Sequence, residues 1–168
     1  MSDFEHPDSL YPKPKRIGFF IREEPYGFLS NFDRTPIVVD GKVFMTVEHF
    51  YQSQKAKDGW LADYIASAPN ATIAMVLGRE LEHNKYLQKY MEPEWDSEKK
   101  KEIMLKAQRA KYTIKALKSK LMATGDAFLF ENNPDDFYWG IGDGTGENCL
   151  GRIIMQVREE IRCELGSQ

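Results

Sequence analysis

Cysteine is nearly absent from these 168 residues: only Cys149 and Cys163 occur. Two thiols make no disulfide framework, so a reducing, intracellular setting is the expectation, in the cytoplasm or a nucleus. Histidine is as scarce. His6, His49 and His83 stand at no metal-ligand spacing, and without a Cys/His cluster no metal site is expected. No apolar run approaches the roughly 20 residues of a membrane span, and the N-terminus shows no signal-peptide core, so no membrane partner is expected. Large excess charge is missing too. A net charge of −3 argues against a wholesale polyanion binder but leaves local basic patches open. Repeats, low-complexity stretches, a Walker loop, a G-x-G-x-x-G fingerprint and a G-x-S-x-G elbow are all lacking. No cofactor is expected.

What is present reads as one globular domain, with 42% hydrophobic and 29% charged residues. Residues 1–15 carry Pro7, Pro12 and Pro14 and few periodic apolar residues, so they read as a flexible arm. Ile17 to Ile21 reads as a short strand. Ser30, Asn31 and Phe32 then sit in an aromatic loop, either as a pocket lip or as a turn whose Asn bonds its own backbone. Ile37 to Phe44 reads as a hairpin about Asp40-Gly41, a pair that tolerates positive φ.

Thr46 is a good N-cap for a helix whose spacing puts Val47, Phe50, Tyr51 and Gln54 on one stripe and Glu48, Gln52 and Lys55 on the next. An acid, an amide and an amine in one row suit the wall of a polar pocket. They also suit an ordinary amphipathic helix with a solvated Glu, and spacing does not choose. The helix dipole favours an ionised carboxylate at that end, making Glu48 a base or charge stabiliser rather than a proton donor. Short helices follow over Trp60–Ser67 and Ala71–Leu77, the second ending at Gly78 with Arg79 just beyond, placed for a phosphate or a surface ion pair. Trp95, beside Pro93, is either a core plug or a stacking platform.

Residues 97–121 read as one long helix, with Ile103, Ala107, Ala110, Ile114, Leu117 and Leu121 as its buried stripe. Nine lysines and arginines against two glutamates fill the rest. Such a face could track a nucleic-acid backbone or simply be solvated. Ala127–Phe130 reads as a strand, and Phe137–Trp139 as another. Gly140, Gly142, Gly144 and Gly146 would let backbone N–H groups line an anion site, with Asn148 capping the final helix toward the same anion. Glu48 and Asp136, with Trp and Tyr nearby, suit hydrolysis through an oxocarbenium-like transition state.

Phe28-Leu29-Ser30-Asn31-Phe32, then Gly41 and Thr46-x-Glu48-His49-x-Tyr51-Gln52-x-Gln54-Lys55, resemble the NADAR (YbiA-like) family. Gly78-Arg79, Trp95 with Met104, Thr124-Gly125 with Glu131, Asp136-x-x-Trp139-Gly140-x-Gly142 and Asn148-x-Leu150-Gly151 with Arg158 continue the match in order. Phe44-Met45 replaces the Trp-Pro common before that Thr. The resemblance implies an α+β fold over residues 16–165, mostly helical with a small β-sheet. It implies functional roles for Glu48, Trp95, Asp136 and Trp139. It also implies an N-glycosidase that cleaves a phosphate-bearing ribose from an exocyclic amine.

Two substrates fit that chemistry. One is ADP-ribose on guanine in nucleic acid, bound with help from the basic helix 97–121. The other is a ribosylaminopyrimidine phosphate of riboflavin biosynthesis. A non-catalytic ADP-ribose reader is the alternative of another class. Trp95 and Trp139 would stack on the heterocycle, while Arg79, Gly140, Gly142 and Asn148 take phosphate. Lys55, or Lys42 in the hairpin turn, would serve if an amine traps the ring-opened sugar, against direct attack by water.

Overall fold

The computed structural model describes residues 15–167. The expected arm lies outside them except for Lys15. Among the described residues six α-helices surround four short strands, which form two separate pairs rather than one sheet. β1 (Arg16–Phe19) and β4 (Phe128–Glu131) run parallel, with Phe19 opposite Glu131 at the end of the pair. β2 (Ile37–Val39) and β3 (Lys42–Phe44) form the antiparallel hairpin, turned by Asp40 at φ 50° and Gly41 at φ 78°. Both turn residues thus take the positive φ that a type I′ turn demands. Phe137–Trp139 is not a strand but part of an irregular loop.

α1 (Val47–Ser53) is wholly buried and carries the cap expected of it, Thr46 Oγ1 accepting from the His49 N–H at 3.2 Å. α2 (Gly59–Ala66) and α3 (Ala71–His83) pack against it. α3 overruns its expected end. Gly78 is an interior glycine, not a C-terminal stop: a Cβ there would lie 1.9 Å from Gln52 Oε1, so the glycine exists to admit the α1 amide.

The long basic helix is two helices, α4 (Ser97–Lys111) and α5 (Lys115–Met122). Thr113 Oγ1 donates to the Ala110 carbonyl at 2.7 Å and Ile114 is extended, which breaks the ladder while leaving the apolar stripe in register. α6 (Cys149–Gly166) closes the core against α4 and β4. Phe19, Leu29, Met104, Leu121, Leu129, Leu150 and Ile154 are buried at its centre. No described helix is long and apolar enough to cross a membrane.

Candidate active site

A cavity of about 1170 Å³ opens between α1, α3, the start of α4, the end of β4 and the loop after it. Glu48 and Gln52 of α1 and Lys55 just beyond it line the cavity, the row expected from spacing, and Tyr51 of the neighbouring stripe joins them. Gln52 Nε2 donates to Glu48 Oε1 at 2.7 Å, and Gly78 leaves the space that this amide fills. The Glu48 N–H donates to the Asn31 carbonyl at 3.1 Å, so the lip and the helix are one unit.

Burial pushes the Glu48 carboxyl above its ordinary range. The Gln52 hydrogen bond and the positive fields of Lys55 and Arg79 oppose that rise without cancelling it. Desolvation outweighs the N-terminal helix field, opposite to the direction expected from the dipole alone. His49 beside it is locked, its ring nitrogens pairing with Thr46 Oγ1 at 2.8 Å and the Ala68 carbonyl at 3.1 Å.

The lip is real, and it is held from behind. Lys111 Nζ, fully buried, donates to the Ser30 carbonyl at 2.8 Å, and Gln108 Nε2 donates to Asn31 Oδ1 at 2.7 Å. Ser30, Asn31 and Phe32 all line the cavity. The local turn bond is made by Ser30, whose Oγ accepts from the Phe32 N–H at 3.2 Å, and not by Asn31, whose side chain is taken by Gln108 and Met104 rather than by its own backbone.

Lys55 is buried and shares Glu82 with Lys100, at 2.6 Å and 2.8 Å. Burial lowers the Lys55 amine; Glu82 resists this and Lys100 adds to it. Lys42 is elsewhere, ion-paired with Asp63 on the outer side of the hairpin and absent from the cavity wall.

Asp136 and Trp139 face the cavity together. Asp136 Oδ1 accepts from the Tyr138 and Trp139 N–H groups at 3.0 Å and 2.7 Å, fixing the indole's backbone. The Trp139 ring stands edge-on to Tyr51 at 5.4 Å and to Tyr138 at 4.8 Å. Trp95 does not reach the cavity. It is 9% exposed, packs on Tyr51 at 5.5 Å and faces a separate depression, the place of a core plug.

The glycine loop makes no phosphate cradle. The Gly142 N–H donates to the Asp136 carbonyl, and those of Gly144 and Gly146 to the Ile141 carbonyl. Gly140 and Gly142 are absent from the cavity wall. Gly140 instead fits where a Cβ would meet the Asp136 carbonyl at 2.9 Å. Asn148 does not cap α6 with its side chain. At φ 53° it braces β4, Oδ1 accepting from the Glu131 N–H at 3.1 Å and Nδ2 donating to the Leu129 carbonyl at 2.9 Å. The first N–H groups of α6 are taken by the carbonyls of Tyr138 and Trp139.

Glu131 and Glu82, given no role from the sequence, line the cavity, as does Lys100, expected there only as part of the basic face. A glutamate closing the apolar strand Phe128-Leu129-Phe130 was the available signal for the first. Among the described residues no three or more His, Cys, Asp or Glu are grouped to hold a metal ion.

The NADAR domain profile matches residues 19–162. The chain is 39% identical to the N-glycosidase YbiA of Escherichia coli over 150 residues, 88% of this chain and 89% of that one. It is 37% identical to an N-glycosidase of Nostoc punctiforme, covering 87% of this chain and 92% of that one. A riboflavin biosynthesis protein of Vibrio vulnificus is 38% identical over 87% of this chain, which spans only 38% of that longer protein. The solution structure of Escherichia coli YbiA superposes with a TM-score of 0.82 at 35% identity, covering 94% of this chain and 91% of that one. The order of motifs, the fold and these relatives agree, and the chain belongs to the NADAR family.

Proposed function

We propose that this protein is an N-glycosidase that hydrolyses the bond between a phosphate-bearing ribose and the exocyclic amine of a flat heterocycle. The observation that carries the reading is the cavity wall, where Glu48 and Asp136 face the same space as Trp139 and the cations of α3 and α4. Carboxylates stabilise an oxocarbenium-like C1 and accept a proton from attacking water. A Glu48 carboxyl raised by burial is a stronger base than a solvated one, which suits it to that water. Trp139 offers its face to the heterocycle, and Arg79 and Lys100 offer positive charge to phosphate.

ADP-ribose on guanine is the larger of the two substrates, and a cavity of about 1170 Å³ has room for it. The names of relatives favour the other: one matched protein, from Vibrio vulnificus, is named for riboflavin biosynthesis. Base release from ADP-ribosylguanosine, measured beside release from a ribosylaminopyrimidine phosphate, decides between them. Binding of ADP-ribose with no release from either would identify a reader rather than an enzyme.

One observation supports a lysine route as a second mechanism. Lys55 lies in the cavity with its amine lowered by burial, and Lys100 is the neighbouring cation such an amine requires. Lys42, outside the cavity, has no part in it. Borohydride added during turnover distinguishes the routes: a reduced sugar adduct at Lys55 supports capture by the amine, and its absence supports direct attack by water.

A further inference from the structure

A departing exocyclic amine needs a proton as well as a place to leave from. When the C1–N bond breaks, its electron pair goes to nitrogen, and the amine leaves readily only if a proton arrives there. This holds whether water or Lys55 takes C1, and it rests on the N-glycosidase reading above. Glu48 and Asp136 are poorly suited to supply it. In the water route Glu48 is already engaged as the base, with Gln52 donating to its Oε1, and Asp136 Oδ1 is occupied by two backbone N–H groups at 3.0 Å or less.

Glu131 differs from both. It ends β4 on the cavity wall, with its backbone N–H given to Asn148 and its carbonyl accepting from the Ile141 N–H at 3.0 Å. Its side chain therefore projects from a fixed point. Its Oε2 is buried and has no hydrogen-bond partner. An ion left so would be costly, whereas a neutral carboxyl costs far less. The charges acting on it are Glu48 from α1 and Asp136 from the loop; opposite it β1 presents Phe19, and α6 presents Asn148 through its cap residue. Among the described residues no cation acts on it to offset them.

We propose that Glu131 is the general acid of this site, giving its proton to the amine nitrogen as the C1–N bond breaks. In the water route the oxygen bonds C1 and its proton passes to Glu48, so the products are a free ribose hydroxyl and a neutral amine. Burial, reinforced by Asp136 and Glu48, pushes the Glu131 carboxyl up to about 8, so the acid keeps its proton at neutral pH.

Glu131→Gln keeps the shape and removes the proton. Single-turnover base release should fall by roughly 10²–10⁴-fold while ADP-ribose affinity stays near that of the unaltered protein. The unaltered protein should lose activity as pH rises through about 8, and the variant's residual rate should lack that alkaline limb. A variant that binds ADP-ribose, matches the unaltered rate and keeps the limb overturns the acid role alone. An unaltered protein that releases base from neither substrate overturns the glycosidase reading, and the acid role with it.

Discussion

Two regions of this molecule concentrate charge, and they dispose of it in opposite ways. Along α4 nearly every charge finds a partner: Lys99 with Glu102, Lys101 with Glu98, Lys106 with Asp40, and Arg109 with Glu160 through two nitrogens. Lys100 turns inward to Glu82, and Lys111 is buried against a carbonyl. In the cavity, Glu48 and Glu131 are desolvated beside Asp136, and the buried Glu131 Oε2 has no donor among the described residues. The louder charge signal is thus mostly paired along α4, and the quieter one is where strain between charges is left standing. Perturbed groups left without compensation in a cleft are candidates for chemistry.

The largest effect that would break this contrast is at Glu48. Glu48→Gln should abolish single-turnover release while leaving ADP-ribose binding intact, and an unchanged rate would remove the carboxylate from the mechanism. Next come the two tryptophans. Trp95→Ala should cost roughly 3–5 kcal/mol of stability, as for a core aromatic, with little change in the affinity of the folded fraction. Trp139→Ala should weaken ligand binding about tenfold, in keeping with roughly 1–3 kcal/mol per stacked base, and Trp139→Phe should recover much of it. If both merely lower the melting temperature, neither indole stacks on substrate.

A smaller effect sharpens the comparison through pH. Glu131, raised to about 8, binds more protons folded than unfolded between roughly pH 4.3 and that value, so stability falls as pH rises there. Lys111, lowered by burial to about 8, binds fewer protons folded than unfolded from that value up to roughly 10.4, so stability rises with pH there. Melting temperature against pH should therefore dip near 8. Glu131→Gln should flatten the acid side of the dip, and Lys111→Met the alkaline side. The smallest effect is on α4, where Lys106→Glu with Arg109→Glu should leave turnover unchanged and cost about 1 kcal/mol or less per exposed pair.

The hairpin, the Thr46 cap and the Glu48–Gln52–Lys55 row were readable because each depends on neighbours within a few residues. Gly78 and Asn148 were misread for the complementary reason. One is a glycine because Gln52 lies against it from another helix, and the other is spent on β4, which is 17 residues away at Glu131. The glycine loop misled because spacing shows which N–H groups can turn, not which carbonyls already hold them. Lys42 and Lys55 looked equivalent until the hairpin turned one outward and α1 turned the other inward. The pairing along α4 was not readable because the partners of Lys106, Lys100 and Arg109, namely Asp40, Glu82 and Glu160, come from three other parts of the chain.

If recognition as well as chemistry lies inside the cavity, the substrate's nucleic-acid backbone contributes little. The direct measurement is kcat/KM for ADP-ribosylguanosine as a free nucleoside and within a DNA strand, from about 50 mM to about 200 mM salt. The account predicts similar values for the two substrates and a shallow salt dependence for both. A strand strongly preferred at low salt, and losing roughly 10³-fold or more over that range, would contradict it by placing recognition on the basic face.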